Sequence, residues 1–334
     1  MAAYTAIDDP GLFFNTVLYT GNGGTQSITG VGFQPDFIWI KGRSYTDDHG
    51  LFDSVRGATK ILYSNEVNAE ETYATSVTAF GSDGFSLGSM AEVNTGSATL
   101  VSWNWKESAT SGFDIVAYTG NGSARTISHS LSAVPKMYII KNLGEADSWQ
   151  VYHGSNTSAP ETDYLQLNEN GATGDSDARF DDTAPTSSVF SVGDHVTVNK
   201  NTINYIAYVF AEKQGFSKFG SYTGNGSLDG PFLALSFLPS FFLVKRTDNT
   251  GNWVIFDNKR SSTGGFNEIG YTVIADGNNA EATGTTSNDI DFLSNGIKIR
   301  EDNGDLNASG ATYVYMAFAE APFVNSNGVP CNAR

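Results

Sequence analysis

Apolar residues fall along this chain in short dense runs, separated by polar stretches rich in glycine, asparagine, serine and threonine. Phe37–Ile40, Met137–Ile140 and Phe241–Val244 are apolar at successive positions. An extended segment of that kind covers both of its faces, so each run predicts a central strand buried on both sides. Leu100–Lys106 (LVSWNWK), Tyr205–Ala211 (YIAYVFA) and Tyr313–Ala319 (YVYMAFA) read the same way. A proline precedes each run of the first set, at Pro35, Pro135 and Pro239, where it can start a strand without leaving a ladder donor unmade. Gly-Asn-Gly, Ser-Asp-Gly (82–84) and Asp-Asn-Gly-Asp (302–305) supply turn chemistry. No stretch shows capped 3.6-residue periodicity. The pattern predicts an all-β protein of short strands at sandwich-like spacing.

The runs recur in register. Tyr-Thr-Gly-Asn-Gly begins at Tyr19, Tyr118 and Tyr222, 99 and 104 residues apart. The proline follows 16, 17 and 17 residues after the tyrosine, and a lysine ends each post-proline run at Lys41, Lys141 and Lys245. Phe52, Tyr152 and Phe256 come eleven residues later, and Trp105, Phe210 and Phe318 share one place in the closing runs. The chain therefore reads as three tandem β-sandwich, jelly-roll-like units of about 100 residues, at 13–110, 111–215 and 216–323. Short tails occupy 1–12 and 324–334. The polar, length-variable stretches 168–186 and 276–289 read as surface loops, where any difference in binding between units would sit.

Composition narrows the function classes. The net charge of −17, from 19 basic and 36 acidic residues, repels phosphate backbones and argues against nucleic-acid binding. A single cysteine, Cys331, excludes an internal disulfide framework and a cysteine-based zinc site and suits synthesis in a reducing cytoplasm. No apolar run reaches the roughly 20 residues needed to span a bilayer. The start, MAAYTAIDDPG, lacks the basic and apolar regions of a secretory signal.

Candidate chemistry is sparse. His49, His129, His153 and His195 share no position across all three units, no serine lies in a nucleophile-elbow context, and Gly-Asn-Gly lacks the rest of a phosphate-loop fingerprint. Paired carboxylates are not repeated either: Asp36 aligns with Lys136 and Ser240. We expect neither catalysis nor a cofactor. Phe-Asp-x-x-Arg recurs in two units, giving Asp53 with Arg56 and Asp257 with Arg260, while unit two has Tyr152-His153-Gly154-Ser155-Asn156. Such a pair either recognises a hydroxyl-rich or charged ligand or clamps a turn. Trp149 and Trp253, each three residues before its aromatic anchor, are the tryptophans in the most polar company and the candidates for stacking a sugar; Trp39, Trp103 and Trp105 read as core. Asp175, Asp177, Asp181 and Asp182, and separately Asp302 and Asp305, could offer oxygens to calcium, but neither segment completes an EF-hand loop, and no metal site is assigned.

Unit one also resembles a known domain. YTGNG, GFQPDFIWIKGR (32–43), HGLFDSVRG (49–57), FGSDGFSLG (80–88) and VSWNWK (101–106) together are similar to an uncharacterised repeat domain of marine and cyanobacterial tailed-phage virion proteins, described as tail-fibre-like or structural. The later units keep mainly YTGNG, the proline-to-lysine strand and the closing strand. The resemblance implies a virion surface protein, made in the host cytoplasm, with other capsid or tail proteins as partners. Without heptads or shaft repeats, a capsid decoration or head- or tail-attached appendage is the expected placement. The alternative is a tail-fibre or receptor-binding module that recognises host surface glycan. A homo-oligomer, such as a trimer, fits either. The family brings no catalytic residues with it.

Overall fold

The computed structural model describes residues 4–260, 267–282 and 289–331. It is all-β, and the described helical turns are only three or four residues long, as in Ala91–Asn94 and Val196–Asn199. Among the described residues no helix is long and apolar enough to cross a membrane.

Each unit builds one large antiparallel sheet in a common order. In unit one Phe14–Thr20, Thr99–Trp105, Phe37–Gly42 and Gly50–Asp53 lie side by side, with Lys60–Tyr63 and Glu71–Thr72 beyond. Unit two repeats the order with Phe113–Thr119, Asn204–Phe210, Met137–Asn142 and Gln150–His153. Unit three repeats it with Ser217–Thr223, Thr312–Pro322, Phe237–Arg246 and Trp253–Asp257, and Val273–Ile274 at the edge. The closing strand thus sits second in its sheet, paired on both sides. In unit three the strand starts before its proline, and the register shifts on either side of Pro239, where the missing N–H is tolerated.

A smaller sheet covers the outer face of each large one: Gln26–Thr29, Gly84–Leu87 and Val77–Gly81 in unit one, Arg125–Ser128 and Val189–Val192 in unit two, Phe232–Ala234, Gly296–Ile299, Ile290–Leu293 and Glu268–Ile269 in unit three. Ile38, Ile40, Phe52, Phe85 and Leu87 fill the layer in unit one. Tyr138, Ile140, Tyr152, Phe190 and Val192 fill it in unit two, and Phe242, Val244, Phe256, Phe292 and Ile297 in unit three. Every described pairing between named strands stays within its own unit.

The inner faces of the three large sheets meet one another. Phe37, Trp39, Trp103 and Trp105 of unit one pack in one cluster with Met137, Ile139, Tyr208 and Phe210 of unit two and Phe241, Leu243, Met316 and Phe318 of unit three. These are the same strand positions taken three times, so the units surround a common core with pseudo-threefold symmetry. Phe14 stacks on Phe318 at 5.2 Å between ring centroids, and Phe37 on Tyr208 at 4.3 Å, both across unit boundaries. Ile7, from the N-terminal segment, joins this core, and Thr5 hydrogen-bonds Gln214 O. This is why the post-proline runs are apolar at consecutive positions: one face looks into its own unit and the other into the shared centre.

The repeated pentapeptide is a clamped turn. Its tyrosine hydroxyl donates to Val93 O, Val198 O or Leu306 O at 2.7–2.8 Å. A Cβ on Gly21 or Gly120 would sit 2.1 Å from a carbonyl oxygen, so only glycine fits there. A fully buried asparagine eleven residues before the closing aromatic holds each turn: Asn94, Asn199 and Asn307. Asn199 Oδ1 accepts from Asn121 N at 3.0 Å, and its amide donates to Ser123 O and Gly193 O at 2.6 and 2.8 Å. Removing that amide deprives three backbone groups of their partner, of which the Gly193 carbonyl is buried. Asn199→Ala is expected to lower stability by about 2–3 kcal/mol, read as a shift of the urea midpoint at constant slope.

Candidate functional site

The residues singled out in the sequence lie at the junctions between units, inside the protein. Asp53 and Asp257 are completely buried, and the Arg56 and Arg260 side chains are 3% and 0% exposed. In each pair the arginine Nε lies 2.5 Å from the aspartate Oδ2. The same carboxylates accept a hydrogen bond from the neighbouring unit. Tyr208 of unit two donates to Asp53 Oδ2 at 2.8 Å, and Trp103 Nε1 of unit one donates to Asp257 Oδ2 at 2.9 Å. Glu70 lies 3.4 Å from Arg56, and Glu281 lies 3.0 Å from Arg260 while also pairing with Arg43 of unit one at 2.8 Å. Asp53, Asp257 and Arg260 offer no surface to a ligand, and Arg56, which borders a cavity of about 350 Å³ between units one and two, has its guanidinium held by Asp53, Glu70 and Leu51 O, so the ligand-recognition option for Asp53, Arg56, Asp257 and Arg260 is corrected to the clamp.

The exception in unit two follows from its partner. The residue equivalent to Trp103 and Tyr208 is Met316, which has no hydrogen to donate. His153 stands where Asp53 and Asp257 stand, and its Nε2 lies 3.0 Å from Tyr315 O. Its Nδ1 accepts from Ser155 N at 3.2 Å, so Nε2 carries the proton and donates. Burial pushes this imidazole down to about 4, against the opposing pull of the Tyr315 carbonyl. The unfolded chain therefore binds a proton that the folded chain refuses between pH 6.5 and 4. Stability contributed by neutral His153 is complete above pH 6.5 and is lost as the pH falls towards 4, to a total of about 3 kcal/mol. The melting temperature of His153→Gln is expected to fall less on acidification across that window than that of the parent.

Trp149 and Trp253 are 0% and 1% exposed, which corrects their assignment as sugar-stacking candidates: neither ring has a free face. Each reaches into the next unit. Trp149 Nε1 donates to Tyr63 O and Trp253 Nε1 to Gln166 O, both at 2.8 Å. His49 fills the third equivalent place; Trp39 Nε1 donates to its Nδ1 at 2.8 Å, and its Nε2 lies 3.0 Å from Ile274 O. Trp39, Trp103 and Trp105 are core residues, as expected.

The three lysines that end the post-proline strands complete the ring. All are completely buried. Lys141 Nζ donates to Val67 O of unit one at 2.8 Å, Lys245 Nζ to Gly171 O of unit two at 2.8 Å, and Lys41 Nζ to Asn278 O of unit three at 3.2 Å. Burial draws each ammonium down to about 8. Units one and two, two and three, and three and one are thus joined at the same three positions, with His153 in place of the aspartate between units two and three, and the ring closes. Sequence reasoning noted the lysines only as strand ends. Their recurrence at one register, in a strand apolar on both faces, was the available signal that they are buried.

The acidic segments behave differently. Asp177 and Asp181 line an open cavity of about 390 Å³ with Asp194, Gly122 and Ser123. Among the described residues no group of three His, Cys, Asp or Glu side chains is placed to hold a metal ion. Asp305 is occupied: it accepts from Asn252 N and Asn252 Nδ2, both at 2.9 Å. Of the variable stretch 276–289, residues 283–288 lie outside the described residues. The remainder helps to wall a second polar cavity of about 420 Å³ between units two and three, lined by Asn168, Asn170, Asn252 and Asp276 among others. Burial pushes Asp276 up to about 6.

A family profile, that of a domain of unknown function, DUF7483, matches residues 9–322 and so takes in all three units and the shared core. The chain belongs to the DUF7483 family. No curated protein matches it. The family match embraces the whole body rather than one repeat, in keeping with three units that share their inner faces.

Proposed function

We propose that this member of the DUF7483 family is a structural protein of a phage particle's outer surface, a capsid decoration or a head- or tail-attached appendage with an assembly or host-adhesion role. One observation carries the reading. The buried polar residues that recur, the aspartate–arginine pairs of units one and three and the lysines, turn asparagines and tyrosines of all three, are spent on turns and on bonds between units. What the chain repeats is a rigid body, not a set of reacting groups. The likeness of unit one to virion repeat domains supplies the setting, and a net charge of −17 suits a part that must stay dispersed until it docks. The reading assigns the chain no catalytic step and no cofactor, with other virion proteins as its partners.

The second reading, recognition of host surface glycan at a tail tip, loses its aromatic platform because Trp149 and Trp253 are buried. It retains one favourable observation, the amide-lined cavity between units two and three. Mass-spectrometric identification of the chain in purified particles, with electron cryomicroscopy of those particles, tests both. Density on the shell or at a head or tail attachment is the expected result. Density confined to the tail tip moves host recognition to the front, and absence from the particle overturns the proposal.

A further inference from the structure

We infer that the cavity between units two and three is a binding site for a neutral saccharide. It deepens the glycan-recognition reading, and it stands or falls on the purified protein wherever in a particle the chain resides.

The cavity, about 420 Å³, lies within the usual range for small-molecule sites. Its wall is fixed from behind. Asn168 Oδ1 accepts from Trp149 N at 2.8 Å, Asp276 Oδ1 accepts from Trp253 N at 2.9 Å, and Asn252 Nδ2 donates to Asp305 at 2.9 Å. The Asn170 backbone is held from two sides, by Gly251 N at 2.9 Å and Lys245 Nζ at 3.3 Å. In front, the side-chain amides of Asn170 and Asn279 make no hydrogen bond among the described residues. Asn252 Oδ1 and Asp276 Oδ2 are also unspent there. The backbone wall is positioned, and the exposed Asn170 and Asn279 side chains present free donors and acceptors over it.

The corresponding loop of unit one is arranged differently. At the position of Asn168 and Asp276, unit one carries Asn65, whose amide is used up: it accepts from His49 N at 3.0 Å and donates to Asp48 at 2.6 Å. Ser64 Oγ closes the space beside it on Ala275 O at 2.6 Å.

The chemistry of the lining selects the ligand. Asp276 and Glu169 border the cavity and no cationic side chain lines it, which disfavours anions. Among the described residues no group of three His, Cys, Asp or Glu side chains there is placed to hold a metal ion. Side-chain amides present a donor and an acceptor together, which suits vicinal hydroxyls, and Ile274 offers an apolar patch for a sugar's C–H face. Without an aromatic platform, affinity is expected at about the millimolar level.

Saturation-transfer NMR with glucose, galactose, mannose, N-acetylglucosamine, maltose and lactose tests this on the full-length protein. At least one probe is expected to receive saturation, with a saturable titration. Asn170→Ala/Asn279→Ala removes only side chains without internal partners, so its melting temperature should match the parent's, while its affinity for that probe falls at least tenfold. A stronger response to the disaccharide than to its monosaccharide would place a glycan chain, rather than a free sugar, in the site. Absence of transfer to all six probes overturns the inference. So does transfer that the double variant leaves unchanged.

Discussion

Asp257→Ala is expected to cost about 3–5 kcal/mol, a large part of the 5–15 kcal/mol that keeps a typical domain folded. The carboxylate takes Trp103 Nε1 at 2.9 Å and Arg260 Nε at 2.5 Å on one oxygen, and Lys259 N and Arg260 N at 3.0 and 2.9 Å on the other. Alanine would leave a guanidinium with no exposed surface to Glu281 and the Ile255 carbonyl, and an indole N–H of the neighbouring unit with no acceptor. The cost is that of an orphaned buried charge rather than the net worth of the pair, which is why it exceeds that of a surface bridge. Asp53→Ala should behave alike, since Arg56 keeps Glu70 and Tyr208 loses its acceptor. Urea unfolding followed by tryptophan fluorescence measures both. A variant within about 1 kcal/mol of the parent would show that the pair does not join the units.

The second large effect concerns the unit itself. Residues 13–110, produced alone, are expected not to fold cooperatively, although they carry a complete two-layer unit with its own core. Alone, they would expose the inner face of the sheet, with Phe14, Phe37, Trp39, Trp103 and Trp105 all turned to water. They would also lose the bonds that Asp53, His49 and Lys41 make to other units. A contiguous apolar face of that kind is an association surface. Far-UV and near-UV circular dichroism with light scattering should report aggregation or a state without fixed aromatic packing. A soluble monomer with a sharp melt would show that the shared core is dispensable.

Much of this architecture could be read in advance, and the limits are instructive. The period, the unit boundaries and the strand positions follow from residues that recur at fixed spacing, because the repeat imposes the same local geometry three times. The turn reading of Gly-Asn-Gly followed from residue type alone. The asparagines that clamp it did not, since Val-Asn and Leu-Asn pairs carry no turn signature until Asn94, Asn199 and Asn307 are seen at one distance from the closing aromatic. The ring was hidden for a different reason. A repeat fixes what each unit looks like, and says nothing about which faces meet. One clue was present: a two-layer sandwich leaves one face of each sheet to solvent, so strands apolar on both faces required a further layer. A second clue lay in the exception. Aspartate occurs where the partner position holds Trp103 or Tyr208, and histidine where it holds Met316, a correlation that acquires meaning only once those positions are known to touch.

Differential scanning calorimetry of the intact chain tests the account most directly, because a shared core and closed ring make the three units one cooperative body. The account predicts a single transition whose calorimetric enthalpy equals its van't Hoff enthalpy, a ratio of about one. Resolved transitions, or a ratio near three, would mean that the units melt separately, and would contradict it.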